Sequence, residues 1–467
     1  MMRKAPIRRG VAAVMAMLYL VLFSTLALGF YAATTMSSQV TANEQRACGA
    51  QLAAESGMDF VRYQLANVSI PHGTPQSALF DRLYQSLEGL MDNTGNLVAI
   101  GRVGNVINIP EDTAQFINLD GDGARFRASI EDLGQKVRVR VLGRHNDPNV
   151  VRVIEMDYAP AQNASQVFDF GVASRGKITT SGNAKIRGAT DPKKGSVLST
   201  CMTDPIPVVI EGKEVSGDIS VTNPNATIAV KQGSSVGGTS NPSQIAAYHL
   251  HKGVAEPEFP VVDTSAFKAF ATTVYTPGMT VFDNVRIPAN TNPPKFNANV
   301  TIKGVLYIEM PNKIEFAGNA NVQGVIVTDT PPDNNGDGLP DGTGTLATNT
   351  ISFTGSVAAQ GVDTLPASYG ELRKLTGSFL LAPNFAVSFT GNFGTINGSI
   401  IASKISMTGN ATGTVYGSVI NLENQVMSAG GSSELIIAST GTTNYPAGVF
   451  FSSHYVPLAD TWREVKP

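Results

Sequence analysis

The residues best suited to chemistry form a short acidic run, PPDNNGDGLPDG, at positions 331–342. Asp333, Asn335 and Asp337 place side-chain oxygens at alternate positions, and Asp341 follows Gly338. Hard oxygen ligands on a tight glycine-containing loop suit calcium, which makes these four the candidate metal ligands. The run departs from an EF-hand loop, because position 344, where the terminal glutamate would stand, is glycine. An ion there would stiffen a loop; nothing around it suggests catalysis. In YHLHKG, His249 and His251 stand two apart, the spacing that puts side chains on one face of a strand. With Glu256 and Glu258 they make a second candidate metal or acid–base group, although a solvated Pro-rich loop explains them better. Asp120 and Asp122 in NLDGDGARF fit either a cation or a plain glycine turn. Cys48 and Cys201 make no framework, and the sequence leaves open whether they are bonded.

No phosphate-binding loop, nucleophile elbow or CxxC motif occurs in the 467 residues. A net charge of −3 with only 15% charged residues leaves no basic footprint for nucleic acid. Glycine, at 46 residues, is above the usual share of roughly 7%, and aromatics are few. That composition favours an all-β architecture with many turns.

The N-terminus is different. From Val11 to Ala33 there is no charge, and at about 1.5 Å per residue this run spans a bilayer core of roughly 30 Å. Arg3, Lys4, Arg8 and Arg9 precede it, so this end stays cytoplasmic and the remainder is exported. The run is long for a cleaved secretory signal, although Ala27-Leu28-Gly29 has the form of a cleavage site, and a plain anchor is a further reading. No proline occurs between Pro6 and Pro71, and helix formers dominate 40–66. The pattern predicts one helix over 11–66, apolar all round in its first half and amphipathic in its second.

A basic leader ending in Gly10, then an apolar half-helix, then NEQRACGAQLAAESGMDFVR resembles the N-terminus of type IV pilins, and of PilX-type minor pilins more closely. The resemblance covers about 60 residues. It implies cleavage by a prepilin peptidase between Gly10 and Val11, and a helix that packs against other pilin subunits. Major pilins carry glutamate at the fifth mature position; here that position is Met15, an absence common in the PilX-like group that weakens any claim to self-assembly. The acidic run, in turn, resembles the calcium loops of dockerins and thrombospondin-type repeats.

Beyond the helix, SALFDRLYQSLEGLM reads as a short amphipathic helix, and ARFRASIEDL, QKVRVRVLG and NVVRVIEMDYA alternate apolar and polar residues as an antiparallel meander. Farther on, ITTSG at 178, IEFAG at 314, ISFTG at 351, VSFTG at 387 and ISMTG at 405 recur. The last two are 18 apart; from 314 to 351 is 37 and from 351 to 387 is 36, each near twice that, which predicts coils of about 18 residues in a β-solenoid. These strings offer serine, threonine and asparagine, with Glu315 their one charge, so no paired acids repeat in register as a glycoside hydrolase would need.

The expected fold is therefore mainly β with a long N-terminal α-helix: a small α/β pilin-like head followed by a right-handed parallel β-helix. The expected divisions are a leader at 1–10, the long helix at 11–66, the head at 67–160, a β-helix at 161–460 with an irregular insertion near 203–300, and a tail at 461–467. The closing stretch with Trp462 is expected to form a strand or cap on the solenoid's end. β-Helical domains fused to PilX-like N-termini in large bacterial surface proteins have a similar arrangement. The expected function is non-enzymatic: a minor pilin in the inner membrane, and after assembly on a pilus or the cell surface. Its partners would be other pilins, prepilin peptidase, the membrane and a surface or glycan target, with no nucleic acid. The alternative is a membrane-tethered β-helix enzyme acting on polysaccharide.

Overall fold

A computed structural model of the chain describes residues 9–70, 74, 76–92, 99–119, 123–147, 149–162, 165–290, 294–330, 346–439 and 445–466. The protein is mainly β with one long N-terminal helix, and it divides into two units. One comprises Met1–Ile70, Pro75–Ala161 and Ser453–Pro467; the other comprises Pro71–Thr74 and Gln162–Ser452.

In the first unit, helix α1 (Arg9–Asn67) runs unbroken for 59 residues, about 88 Å at the usual rise. Its second half buries Ala50, Ala53, Ala54, Met58, Val61 and Leu65. These lie against one face of an antiparallel sheet whose central strands are Ala124–Asp132, Val137–His145 and Val151–Gln162, the three segments whose alternation marked them as strands. A second helix, α2 (Leu79–Met91), buries Phe80, Leu83, Leu87 and Met91 in the same core. The C-terminal stretch was expected to cap the solenoid. It instead returns to this sheet: Ser453–Pro457 is the neighbour of Val151–Gln162, and Arg463–Val465 pairs with the same strand. The second unit is thus inserted between two neighbouring strands of the first.

Asp157, almost fully buried, pins this side of the sheet. It accepts from Arg138 Nε at 2.8 Å and Lys136 Nζ at 2.5 Å, and its own N–H donates to Thr461 Oγ1 at 3.0 Å. The Arg138 guanidinium, then the Lys136 ammonium, hold the carboxyl below the usual carboxylate range against the opposing pull of burial.

In the second unit, 25 strands among the described residues form one sheet built of parallel pairs such as Val172–Ser174 with Val197–Ser199. They stack as three ladders, an arrangement that fits a β-solenoid. In the first coil, Val172–Ser174, Ile178–Thr180 and Lys185–Gly188 each pair with the corresponding strand of the next, Val197–Ser199, Val208–Ile210 and Glu214–Val215. Inward residues repeat up each ladder. Val285, Leu306, Ile326, Leu380, Ile400, Val419, Val172, Val197 and Ile219 form one such column, all fully buried. The recurring strings do stack in register: Ile314 on Ile351, Ile351 on Val387, Val387 on Ile405. Their aromatic positions make a ladder. Phe316 and Phe353 stack at 5.0 Å, and Phe353 and Phe389 at 4.9 Å, with nearly parallel rings.

The structure departs from the expected spacing in one respect. The intervals of 37 and 36 residues are single coils, since Ile314 pairs directly with Ile351 and Ile351 with Val387. The surplus in the second interval leaves the ladder and folds over the sheet's outer face, burying Val362, Leu365 and Leu372. The expected insertion near 203–300 also resolves differently. Strands from Val208–Ile210 to Leu250–Lys252 are regular members of the stack, and the excursion proper is 254–271, which lays Phe259, Val262 and Phe267 on that same outer face.

The order along the stack is not the order of the chain. Val172–Ser174 pairs with Val197–Ser199 on one side and with Val419–Asn421 on the other. The first coil therefore lies in the interior of the stack. The chain builds outward from it to Leu250–Lys252, crosses back through 254–271, restarts at Thr273–Val274 and returns coil by coil until Glu434–Ser439 meets Lys185–Gly188. Two polar clusters clasp this seam. Asn421 Nδ2 donates to Ser174 Oγ at 3.0 Å and its Oδ1 accepts from Ile405 N–H at 3.0 Å. Arg187 joins Glu434 at 3.0 Å and also Glu214.

Phe353→Ala is expected to cost about 3–5 kcal/mol of unfolding free energy, since it opens a cavity between two stacked rings; chemical denaturation of the purified protein checks this. Asp157 supplies stability that is complete above its unfolded value of about 4 and is lost as pH falls through its lower folded value. Asp157→Asn should therefore be less stable than the parent at pH 6, with the difference shrinking toward pH 2 in paired thermal melts.

Candidate assembly interface

The first half of α1 is the surface most in need of a partner. Every residue from Val11 to Val40 is exposed, including Val11, Val14, Met15, Met17 and all seven positions from Met17 to Phe23. Seven consecutive exposed positions occupy the whole helical circumference, so this is no stripe for a soluble core but a cylinder apolar on all sides. The helix is long and apolar enough to cross a membrane. Water is an unfavourable medium for so large an apolar surface; lipid or other apolar helices are suitable ones. Its hydroxyls are compatible with that setting. Thr25 Oγ1 donates to the Leu22 carbonyl at 2.9 Å and Thr35 Oγ1 to the Tyr31 carbonyl at 2.8 Å, so neither needs water.

The second half explains why the helix stays attached to the head. A Cβ on Gly57 would stand 2.5 Å from the Phe126 ring and 2.8 Å from Val141, and one on Gly49 would stand 2.7 Å from the His145 ring. From the sheet side, a Cβ on Gly143 would stand 2.3 Å from the Ala50 carbonyl oxygen. The string CGAQLAAESG is thus a run of small residues that lets helix and strand backbones approach closely. Glu55, on the side away from this contact, is half-exposed and accepts from Gln51 Nε2 at 3.0 Å.

The candidate residues from the sequence fall as follows. Gly10 and Val11 lie in the first turns of α1. Asp333, Asn335, Asp337 and Asp341 lie outside the described residues, as do Asp120 and Asp122. His249 and His251 meet Asp218, at 2.7 Å and 3.6 Å, and not the two glutamates. Only His251 belongs to the strand Leu250–Lys252; His249 ends the helical turn before it, so the expected two-residue strand spacing does not apply. Glu258 instead accepts from Ser452 N–H at 2.6 Å and Oγ at 3.0 Å. Among the described residues no three His, Cys, Asp or Glu side chains converge as metal ligands, and both thiols are free. Sequence reasoning missed Asp218, which stands in a Gly-Asp turn some 30 positions before its histidines, and the arginines of the head sheet described below.

No family model matches the chain, and no curated protein matches it. Among solved structures, the chain is similar to the competence-associated pilin ComZ from Thermus thermophilus, at 12% identity over 90% of this chain and 98% of that one, with a TM-score of 0.29.

Leu22→Asp, at the middle of the apolar half, is expected to cost about 3 kcal/mol of membrane insertion. Alkaline extraction of membranes should then release the variant while the parent chain stays in the pellet.

Proposed function

We propose that the chain is a pilin-like subunit of a type IV pilus or a related secretion filament, acting by non-covalent assembly and not by turnover. The observation that carries this reading is the division of labour along one unbroken helix: a charge-free cylinder exposed on every side from Val11, continuous with a half whose small residues are seated on an antiparallel sheet. A helix built only to anchor a soluble domain has no need to run 59 residues and serve as the spine of the domain it carries. In an assembled filament the apolar half would bury its surface among equivalent halves of other subunits, as it would bury it in the inner membrane before assembly. The parallel stack, read as a closed right-handed solenoid, is then the displayed cargo, presenting long polar faces for adhesion, assembly or contact at the cell surface. The resemblance of the N-terminus to PilX-type minor pilins supports the same reading and adds a prepilin peptidase as processing partner.

The test is the mass of the mature N-terminal peptide from natively expressed protein. Cleavage between Gly10 and Val11, abolished in a Gly10→Leu variant, is the expected outcome. Retention of the first ten residues, or trimming near position 29 with release of the chain from membranes, would overturn the proposal.

A further inference from the structure

The face of the head sheet opposite α1 carries arginines where alternation would be satisfied by any polar residue. Arg125 and Arg144 are paired directly across adjacent strands, and Arg127 lies diagonal to Arg144 on the same face. Like charges directly opposite on a sheet destabilise it. Each of the other arginines of these two strands has an acid: Arg138 pairs with Asp157, and Arg140 stands 3.7 Å from Glu155. Arg125, Arg127 and Arg144 pair with no carboxylate among the described residues. Nearby Asp147 is taken by Arg46 at 3.2 Å. Two of the three lie against Phe116, with the Arg144 guanidinium 3.6 Å and the Arg127 guanidinium 5.4 Å from the ring centre. The Nε atoms of Arg125 and Arg144 are buried and make no hydrogen bond among the described residues. Burial, and then the charges of Arg125 and Arg127, pull Arg144 below its usual range, the signature of a cation short of counter-charge. A cavity of about 340 Å³ opens on the Arg127 side of the cluster, lined by Arg127 together with Arg140, Thr113, Ser129 and Asn108.

We propose that this arginine cluster is a binding site for a phosphate-bearing ligand. Guanidinium groups hold phosphate oxygens by paired, charge-assisted hydrogen bonds, and the cavity has room for a phosphate with a small organic substituent. The ligand comes from solution, not from the membrane that holds α1. Gly143 and His145 flank Arg144 in the strand and contact α1 at Ala50 and Gly49. Sixteen residues separate Ala33 from Gly49, about 24 Å of helix, whereas the headgroup layer extends only some 5–8 Å beyond the hydrocarbon.

The test uses the full chain in detergent micelles, titrated by calorimetry with inorganic phosphate and with glycerol 3-phosphate against chloride at matched ionic strength. Saturable phosphate binding is expected, weakened at least tenfold in Arg127→Gln and in Arg144→Gln, together with a phosphate-dependent rise in melting temperature that both variants lose. The glutamines keep length and polarity, and chloride melts of each variant report whether it is folded. No preference for phosphate over chloride, or undiminished binding by folded variants, would overturn the proposal. So would binding that emerges only in an Asp120→Asn/Asp122→Asn double variant, because the cluster would then carry its own counter-charge. Retention on phosphatidylglycerol vesicles with no affinity for either soluble phosphate would overturn the assignment to a ligand from solution.

Discussion

The close seating of α1 on the head sheet is the constraint on which the remainder depends. An α-helix with ordinary side chains stands farther from its neighbour, with interdigitated side chains filling the space between the backbones. Here Gly49, Gly57 and Gly143 remove the atoms that would hold the backbones apart, and Ala50, Ala53 and Ala54 fill the gap between them. Met58, Val61 and Leu65 then supply burial worth roughly 1.5–3 kcal/mol each farther along. This fixes one end of a rod whose other end has no partner among the described residues. Any force or packing imposed on the apolar half is therefore delivered to the head as to a rigid body.

The inserted unit obeys a different rule. Its coils hold together through backbone pairing and columns of aliphatic or aromatic side chains, and no single coil could bury its apolar face alone. The outer face of one ladder is apolar too, carrying Leu198, Val327, Leu381, Ile401 and Ile420, and it is kept from water by segments that leave the coils and lie across it. The Pro-rich stretch at 254–271 is the chief of these. It is at once the cover of that face and the return path that lets the chain restart at the far end of the stack.

Periodicity made a large part of this legible. The helix at 11–66, the three-strand meander and the in-register strings all follow from residue alternation and spacing. The order of the coils does not follow from it, because a local pattern states what each coil looks like and not which coil it stacks on. MSAGG at 427–431, which lies between the ISMTG and ITTSG strings in the stack, was invisible because methionine and alanine replace the β-branched and aromatic residues of the pattern. The interval from 351 to 387 misled for a related reason: an excursion of 15–20 residues has nearly the length of a coil. The arginine cluster carried no motif, since its members belong to different strands and only the register brings Arg125 opposite Arg144.

The interior position of the first coil has a consequence for biogenesis. An ordinary repeat array can fold as it emerges, each unit closing on the one before. Here the Ser174–Asn421 junction joins residues 247 positions apart, and closing a loop of that length costs on the order of 5 kcal/mol in chain entropy. Until the last coil arrives, Val172–Ser174 keeps one raw edge, a template for any stray strand. A chain truncated anywhere before 419 can never seal it. The topology thus makes completeness of synthesis a condition of stability, and marks unfinished copies by the sticky edge they leave open.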